Sequence, residues 1–173
     1  MKFLTISILS LFLVSCGATV AVDYDKQVDF LKYNTYNYFP NIDSGLNALD
    51  DNRIIKITDS LLQQRGFTKS ETPQIFINFF ARESVSNSRN TIGIGVGGGG
   101  GNMGVGVSGG IPIGGRVVNQ QLTIDFIDVA KDDLVWQAVA EGEMKERATP
   151  QQKEAYYVSV IQKILKEYPP KTK

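Results

Sequence analysis

RVVNQQLTIDFIDVAKDDLVWQAVAEGEM, residues 116–144, decides the fold. Between Arg116 and Val129, Leu122, Ile124 and Phe126 alternate with Thr123, Asp125 and Ile127, the period of two that a strand requires. Ala130-Lys131-Asp132-Asp133 is a short polar turn, and Leu134 to Met144 returns as the partner strand of a hairpin. On the return, Trp136, Ala138, Ala140 and Gly142 share one face, and Val135, Gln137, Val139 and Glu141 the other. Trp136 is the core anchor of this hairpin.

Working outward, Gln74 to Ala81 (QIFINFFA) reads as a further strand, with Ile75, Ile77 and Phe79 on one face and Phe76 and Phe80 on the other. Apolar groups on both faces indicate a central position or cover on both sides. Tyr33 to Phe39 is an aromatic strand ended by Pro40. Two helices flank these strands. In the first, Ile54, Ile57, Thr58, Leu61 and Leu62 repeat at helical spacing after Asp50 or Asp51 as N-cap, and Gly66 stops it. In the second, Thr149-Pro150-Gln151-Gln152 forms a capping box, Tyr157, Val158, Ile161, Ile164, Leu165 and Tyr168 make the apolar stripe, and Pro169-Pro170 ends it. The expected class is α+β: an antiparallel sheet with two helices packed on one face and a Gly-rich hairpin or loop inserted between the middle strands.

That insertion, about residues 90–116, holds most of the 17 glycines. Ile92, Ile94 and Val96 alternate with Gly, as do Met103, Val105 and Val107, around Gly97 to Asn102. Three readings stand: a mobile insertion, a hairpin that orders against a partner or a second copy, and a membrane-inserting hairpin. A phosphate-cradling loop is rejected, because no Lys-Ser/Thr and no helix follow the glycines.

The N-terminus carries the clearest chemistry. Met1 and Lys2 precede the apolar run Phe3 to Val14, too short for the roughly 20 residues that span a bilayer but suited to a signal-peptide core. Leu13-Val14-Ser15-Cys16 ends it and resembles the lipobox of bacterial lipoprotein precursors. The expectation is cleavage between Ser15 and Cys16 and acylation of the Cys16 thiol. Residues 1–15 are then a cleaved signal, 16–22 a lipidated N-terminus and short tether, and 23–170 a single α+β domain. Gly17 at the second mature position and the uncharged stretch 17–22 favour the outer membrane, facing the periplasm.

Composition narrows the chemistry further. Lys+Arg and Asp+Glu both total 18, the net charge is zero, and no long basic run is present, so no nucleic-acid partner is expected. The chain has no His and one Cys, which lipidation consumes. Ser-His, Cys-His and zinc chemistry are closed; enzymes using only carboxylates, Lys or Tyr stay formally open, but neither an enzyme nor a cofactor is expected. Asp23, Asp25 and Asp29 lack the Gly-containing loop and final Glu of a calcium loop and read as a solvated strand end. Asp125, Asp128, Asp132 and Asp133 cluster around the hairpin turn, where Asp132 and Asp133 are ordinary turn residues. Glu141, Glu143, Lys145 and Arg147 read as another solvated strand end.

Several of these segments resemble the bacterial lipoproteins of domain-of-unknown-function family 4136. They are Val22-Asp23-Tyr24-Asp25 with Asp29-Phe30, Tyr33, Thr35 and Tyr36; Arg65-Gly66-Phe67; Pro73-Gln74-Ile75-Phe76-Ile77; Leu122-Thr123-Ile124-Asp125 with Asp128 and Val135-Trp136-Gln137-Ala138; and Tyr168-Pro169-Pro170. Gln74 stands where Asp is usual and Gln137 where a basic residue is common. The resemblance implies an envelope lipoprotein with an α+β domain and implies no reaction and no site residues. The expected partners are the membrane, through the lipid, and an envelope protein or a second copy of the chain. Small-ligand or lipid binding is the alternative.

Overall fold

The computed structural model describes residues 18–87, 91–93, 110–112 and 115–170. Strand β1 (Thr19–Tyr24) is followed by a 3-10 turn (Phe30–Lys32), β2 (Thr35–Tyr38), helix α1 (Ala48–Gln63), β3 (Thr68–Lys69) and β4 (Ile75–Asn87). Then come β5 (Thr91–Gly93), β6 (Gly110–Pro112), β7 (Arg116–Asp128), β8 (Asp133–Lys145) and helix α2 (Pro150–Lys166). Six strands form one sheet in the order β1-β8-β7-β4-β2-β3.

The quoted hairpin forms as read, with Leu122 opposite Ala140, Phe126 opposite Trp136 and a bulge just beyond. The wholly antiparallel sheet does not. β2 runs parallel to β4 and to β3, so the sheet is mixed. The cause is the connection: α1 carries the chain back along the sheet before β4 begins, and a helical crossover joins parallel strands. β1 begins at Thr19, so it takes in part of the stretch 16–22 read as a tether.

Helix α1 starts a turn earlier than the Asp50 or Asp51 cap would have it. Asn47 is the N-cap, and its side chain accepts from the N–H groups of Leu49 (3.1 Å) and Asp50 (3.2 Å). Gly66 sits beyond the helix at φ +86°, and Phe67 N–H reaches back to the Leu62 carbonyl, a Schellman-type close. Helix α2 has the expected capping box, Thr149 with Gln152. The two helices lie side by side in the same direction: Lys153 at the start of α2 meets Asp50 at the start of α1, and Arg65 after α1 donates to the Leu165 and Tyr168 carbonyls at the end of α2.

Both helices cover one sheet face. Ile54, Leu62, Ile161, Ile164 and Leu165 meet Ile77, Leu122, Ile124, Trp136 and Ala138, all at most 1% exposed. Gly142 faces this layer where Tyr156 crosses it. A Cβ there would lie 2.7 Å from the Tyr156 hydroxyl and 2.9 Å from its ring, and that ring packs edge-on to Tyr157. Gly142→Ala is therefore expected to cost about 1–3 kcal/mol by overpacking. Tyr156→Phe removes the nearest atom and should recover part of the loss. Urea midpoints of the single and double variants check both.

β4 runs on to Asn87, past the Ala81 limit of its apolar alternation, because β7 pairs with it as far as Arg116. β5 and β6 pair antiparallel with Ile92 opposite Ile111. Three residues separate Asn87 from Thr91 and three separate Pro112 from Arg116, so β5 and β6 keep the β4–β7 register. The readings of Ile94 to Gly109 lie outside the described residues.

Candidate functional site

Strand alternation leaves Phe76, Asn78 and Phe80 of β4, Thr123, Asp125 and Ile127 of β7 and Gln137 and Val139 of β8 on the face opposite the helices. Register aligns the polar members. Asn78 lies opposite Asp125, Asp125 opposite Gln137, and Gln137 opposite Asp23 of β1, so a polar row crosses four strands. The Asp125 carboxylate accepts from Gln137 Nε2 at 2.7 Å and from Asn78 Nδ2 at 3.4 Å. Apolar rows flank it: Phe80, Thr123, Val139 and Ala21 on one side, Phe76 and Ile127 on the other. Phe39 packs edge-on to Phe76 at 5.9 Å and stays 38% exposed. The face thus carries a hydrogen-bonded polar row between mainly apolar ones, with Thr123 3% and Asp125 8% exposed at its centre.

The sequence-flagged acids serve separate tasks. Asp23, Asp25 and Asp29 each accept from a nearby backbone N–H, of Tyr24, Gln27 and Leu31 respectively. Among the described residues no group of three or more His, Cys, Asp or Glu gathers as a metal cage. Asp125 faces the open side, whereas Asp128 turns toward the helix side. Asp132 takes φ 58° in the turn, and Asp133 opens β8. Cys16 and Ser15 lie outside the described residues. The chain enters the description at Ala18, whose carbonyl accepts from Lys163 Nζ of α2 at 3.2 Å.

Asp128, read from sequence only as part of the acidic cluster around the hairpin turn, is a locking residue. One carboxylate oxygen accepts from the Tyr33 hydroxyl (2.6 Å) and Lys32 Nζ (3.1 Å), the other from the N–H groups of Ala130 and Lys131 (2.9 and 3.2 Å). It thus ties the 3-10 turn to the β7–β8 turn. The Tyr33 hydroxyl, with Lys32 and the Lys131 N–H, outweighs burial and holds the carboxyl down at about 2. Its folded pKa lies below the ordinary 3.8, so the stabilisation is present in full above about pH 4 and fades as pH falls toward 2. The expected contribution is about 2 kcal/mol. Unfolding midpoints between pH 2 and 6 check it, and Tyr33→Phe should flatten the acid limb.

Two more buried clusters are structural. Asp50, 2% exposed, accepts from Asn47, Arg53 and Lys153, each at 2.7 Å, and joins the starts of both helices. Burial alone would raise its pKa, but these donors hold it below the usual range. Asp59 accepts from the Tyr36 and Tyr38 hydroxyls (2.8 and 2.9 Å) and Lys69 (3.1 Å), which fixes α1 to β2. Gln74 Oε1 accepts from the N–H groups of Asn34 and Thr35 while its Nε2 donates to the Lys32 carbonyl, a double role a carboxylate in its place could not fill.

Residues 20–170 match the family described as a domain of unknown function, DUF4136. The chain belongs to the DUF4136 family. No match is found among curated proteins. The DUF4136 chain is similar in structure to a PDZ domain protein from Parabacteroides distasonis, with a TM-score of 0.57 and 16% identity over 99% of this chain and 41% of that one. The DUF4136 chain therefore spans about two fifths of that protein, and the likeness is one of fold. A PelC dodecamer from Paraburkholderia phytofirmans aligns with a TM-score of 0.49 and 15% identity, covering 86% of this chain and 94% of that one.

Proposed function

We propose that this DUF4136 chain is a membrane-anchored bacterial envelope lipoprotein and a non-catalytic module. Its open sheet face binds a protein partner or serves envelope maintenance. The observation that carries the reading is Cys16: the only Cys, directly after an apolar run, and three residues before the first strand. A lipid there would hold the domain close to the bilayer, because the Lys163 contact to Ala18 leaves almost no free tether. The outer membrane, facing the periplasm, is the expected site. The absence of His and of a second Cys supports a role without Ser-His, Cys-His or zinc chemistry. Among the described residues no helix is long and apolar enough to cross a membrane, so the acylated N-terminus is the attachment this reading relies on.

The alternative is a small-ligand or lipid-binding module that uses the sheet face left uncovered by the helices, since the space between sheet and helices is occupied. That space is filled by side chains such as Leu122, Phe126, Trp136 and Tyr157 at 0% exposure. Two open grooves among the described residues lie along the solvent sides of α1, beside Ile55 and Asp59, and of α2, beside Ala155 and Val158.

Mass spectrometry of the protein from its native envelope tests the anchor, and crosslinking on the same material tests the partner. The expected mature chain starts at an acylated Cys16. An intact residue 1, or an unmodified thiol at residue 16, overturns the anchor, and recovery of no specific partner overturns the binding role.

A further inference from the structure

The two edges of the sheet differ in protection. β3 is two residues long, and shortness is one of the ways an edge is kept from pairing. β1 is six residues long, TVAVDY, with no Pro, Lys or Arg, and among the described residues no strand lies beyond it. Its inward side chains, Val20, Val22 and Tyr24, pack on the core yet stay partly exposed, as apolar groups at an unfinished edge do.

The hydrogen-bond phase identifies which backbone groups point outward. Asp25 N–H donates to the Val135 carbonyl, so the odd residues of β1 face β8 and the even ones face away. The outward carbonyl of Ala18 is already taken by Lys163. Val20, Val22 and Tyr24 are left to offer three acceptors and two donors, because the Tyr24 N–H already donates to Asp23 Oδ1 at 2.9 Å.

We propose that β1 is a homodimer edge, pairing antiparallel with β1 of a second copy with Val22 opposite Val22. This register joins the free Val20 and Val22 groups without calling on the Ala18 carbonyl. A shift that sets Ala21 against itself would require the Ala18 carbonyl that Lys163 holds. A shift the other way sets Asp23 against Asp23, with like charges directly opposite. With Val22 on the two-fold axis, Val20 meets Tyr24 and Ala21 meets Asp23. The pairing adds four backbone hydrogen bonds from the free Val20 and Val22 N–H groups of the two copies, completes burial of the half-exposed valines and joins two sheets into one of twelve strands. The open faces then form one continuous surface with the polar rows side by side. The dimer is independent of lipidation, so its failure leaves the anchor reading intact.

Light scattering and sedimentation of the full lipidated chain in detergent test it, with charge variants at Ala21, which is exposed and outside the core. Ala21→Asp sets one carboxylate opposite each Asp23 and should weaken the dimer about tenfold, while Ala21→Lys should tighten it several-fold. A merely structural role would not reverse sign. Val22→Cys supplies a second readout: hydrogen-bonded opposite residues sit about 5.5 Å apart at Cα, inside the disulfide window, so oxidation should link two chains. A monomer at about 50 μM, or a dimer indifferent to both Ala21 variants, overturns the proposal.

Discussion

Trp136→Ala is expected to lower the unfolding free energy by about 3–5 kcal/mol, the range for truncating a buried aromatic. Trp136 is fully buried. Its ring lies 4.9 Å from Phe126 and 5.3 Å from Tyr168, and Tyr168 in turn packs on Phe126 at 4.8 Å and Phe30 at 5.8 Å. One side chain thus joins the hairpin, the end of α2 and the turn after β1, and its removal leaves a cavity that three rigid rings cannot refill. Domains of this kind have about 5–15 kcal/mol in total, so the variant approaches the limit of folding. The indole N–H finds no partner among the described residues, so Trp136→Phe gives up no hydrogen bond and should cost well under half as much. As Trp136 is the only Trp, unfolding is followed by circular dichroism in urea. A loss under about 1 kcal/mol for Trp136→Ala would show that the ring cluster does not hold these elements together.

What sequence made legible was what local chemistry decides. The β7–β8 hairpin announces itself through alternation and a polar turn, and α2 through Thr149 and Gln152 three residues apart. Where partners are distant, the reading fails for a physical reason. The direction of β2 depends on where α1 returns the chain, not on the residues of β2. Asp50 looks like a cap, but its carboxylate is drawn to Lys153, 103 residues away, and Asn47 takes the capping role. The far half of β4, Arg82 to Asn87, is polar and silent as a pattern; it becomes a strand because Arg116 to Gln121 lies beside it. The open face follows the same division. Its residues could be assigned to a side from alternation, but the row Asn78, Asp125, Gln137 and Asp23 exists only once four strands are in register. Gln137, singled out earlier because a basic residue is common there, turns out to complete the hydrogen bonding of Asp125.

Beginning the mature chain at Gly17, behind a leader that is cut without lipidation, is expected to move the protein from the membrane fraction to the soluble envelope fraction. The domain should not suffer, since the first strand starts at Thr19 and the Lys163 contact is to Ala18. The effect is large because acyl chains contribute about 0.8 kcal/mol per buried CH₂, and two or three chains anchor stably where one binds only marginally. Cys16→Ser behind the native signal differs: with no thiol to acylate, the signal should stay uncut, and the mass should retain residues 1–15 with no acyl group. The two variants together separate attachment by lipid from attachment by the apolar run Phe3 to Val14. If the chain starting at Gly17 still sediments with membranes, lipid is not its main attachment. The next candidate is then the stretch 91–115, which contains no charged residue and whose described strands β5 and β6 pair antiparallel.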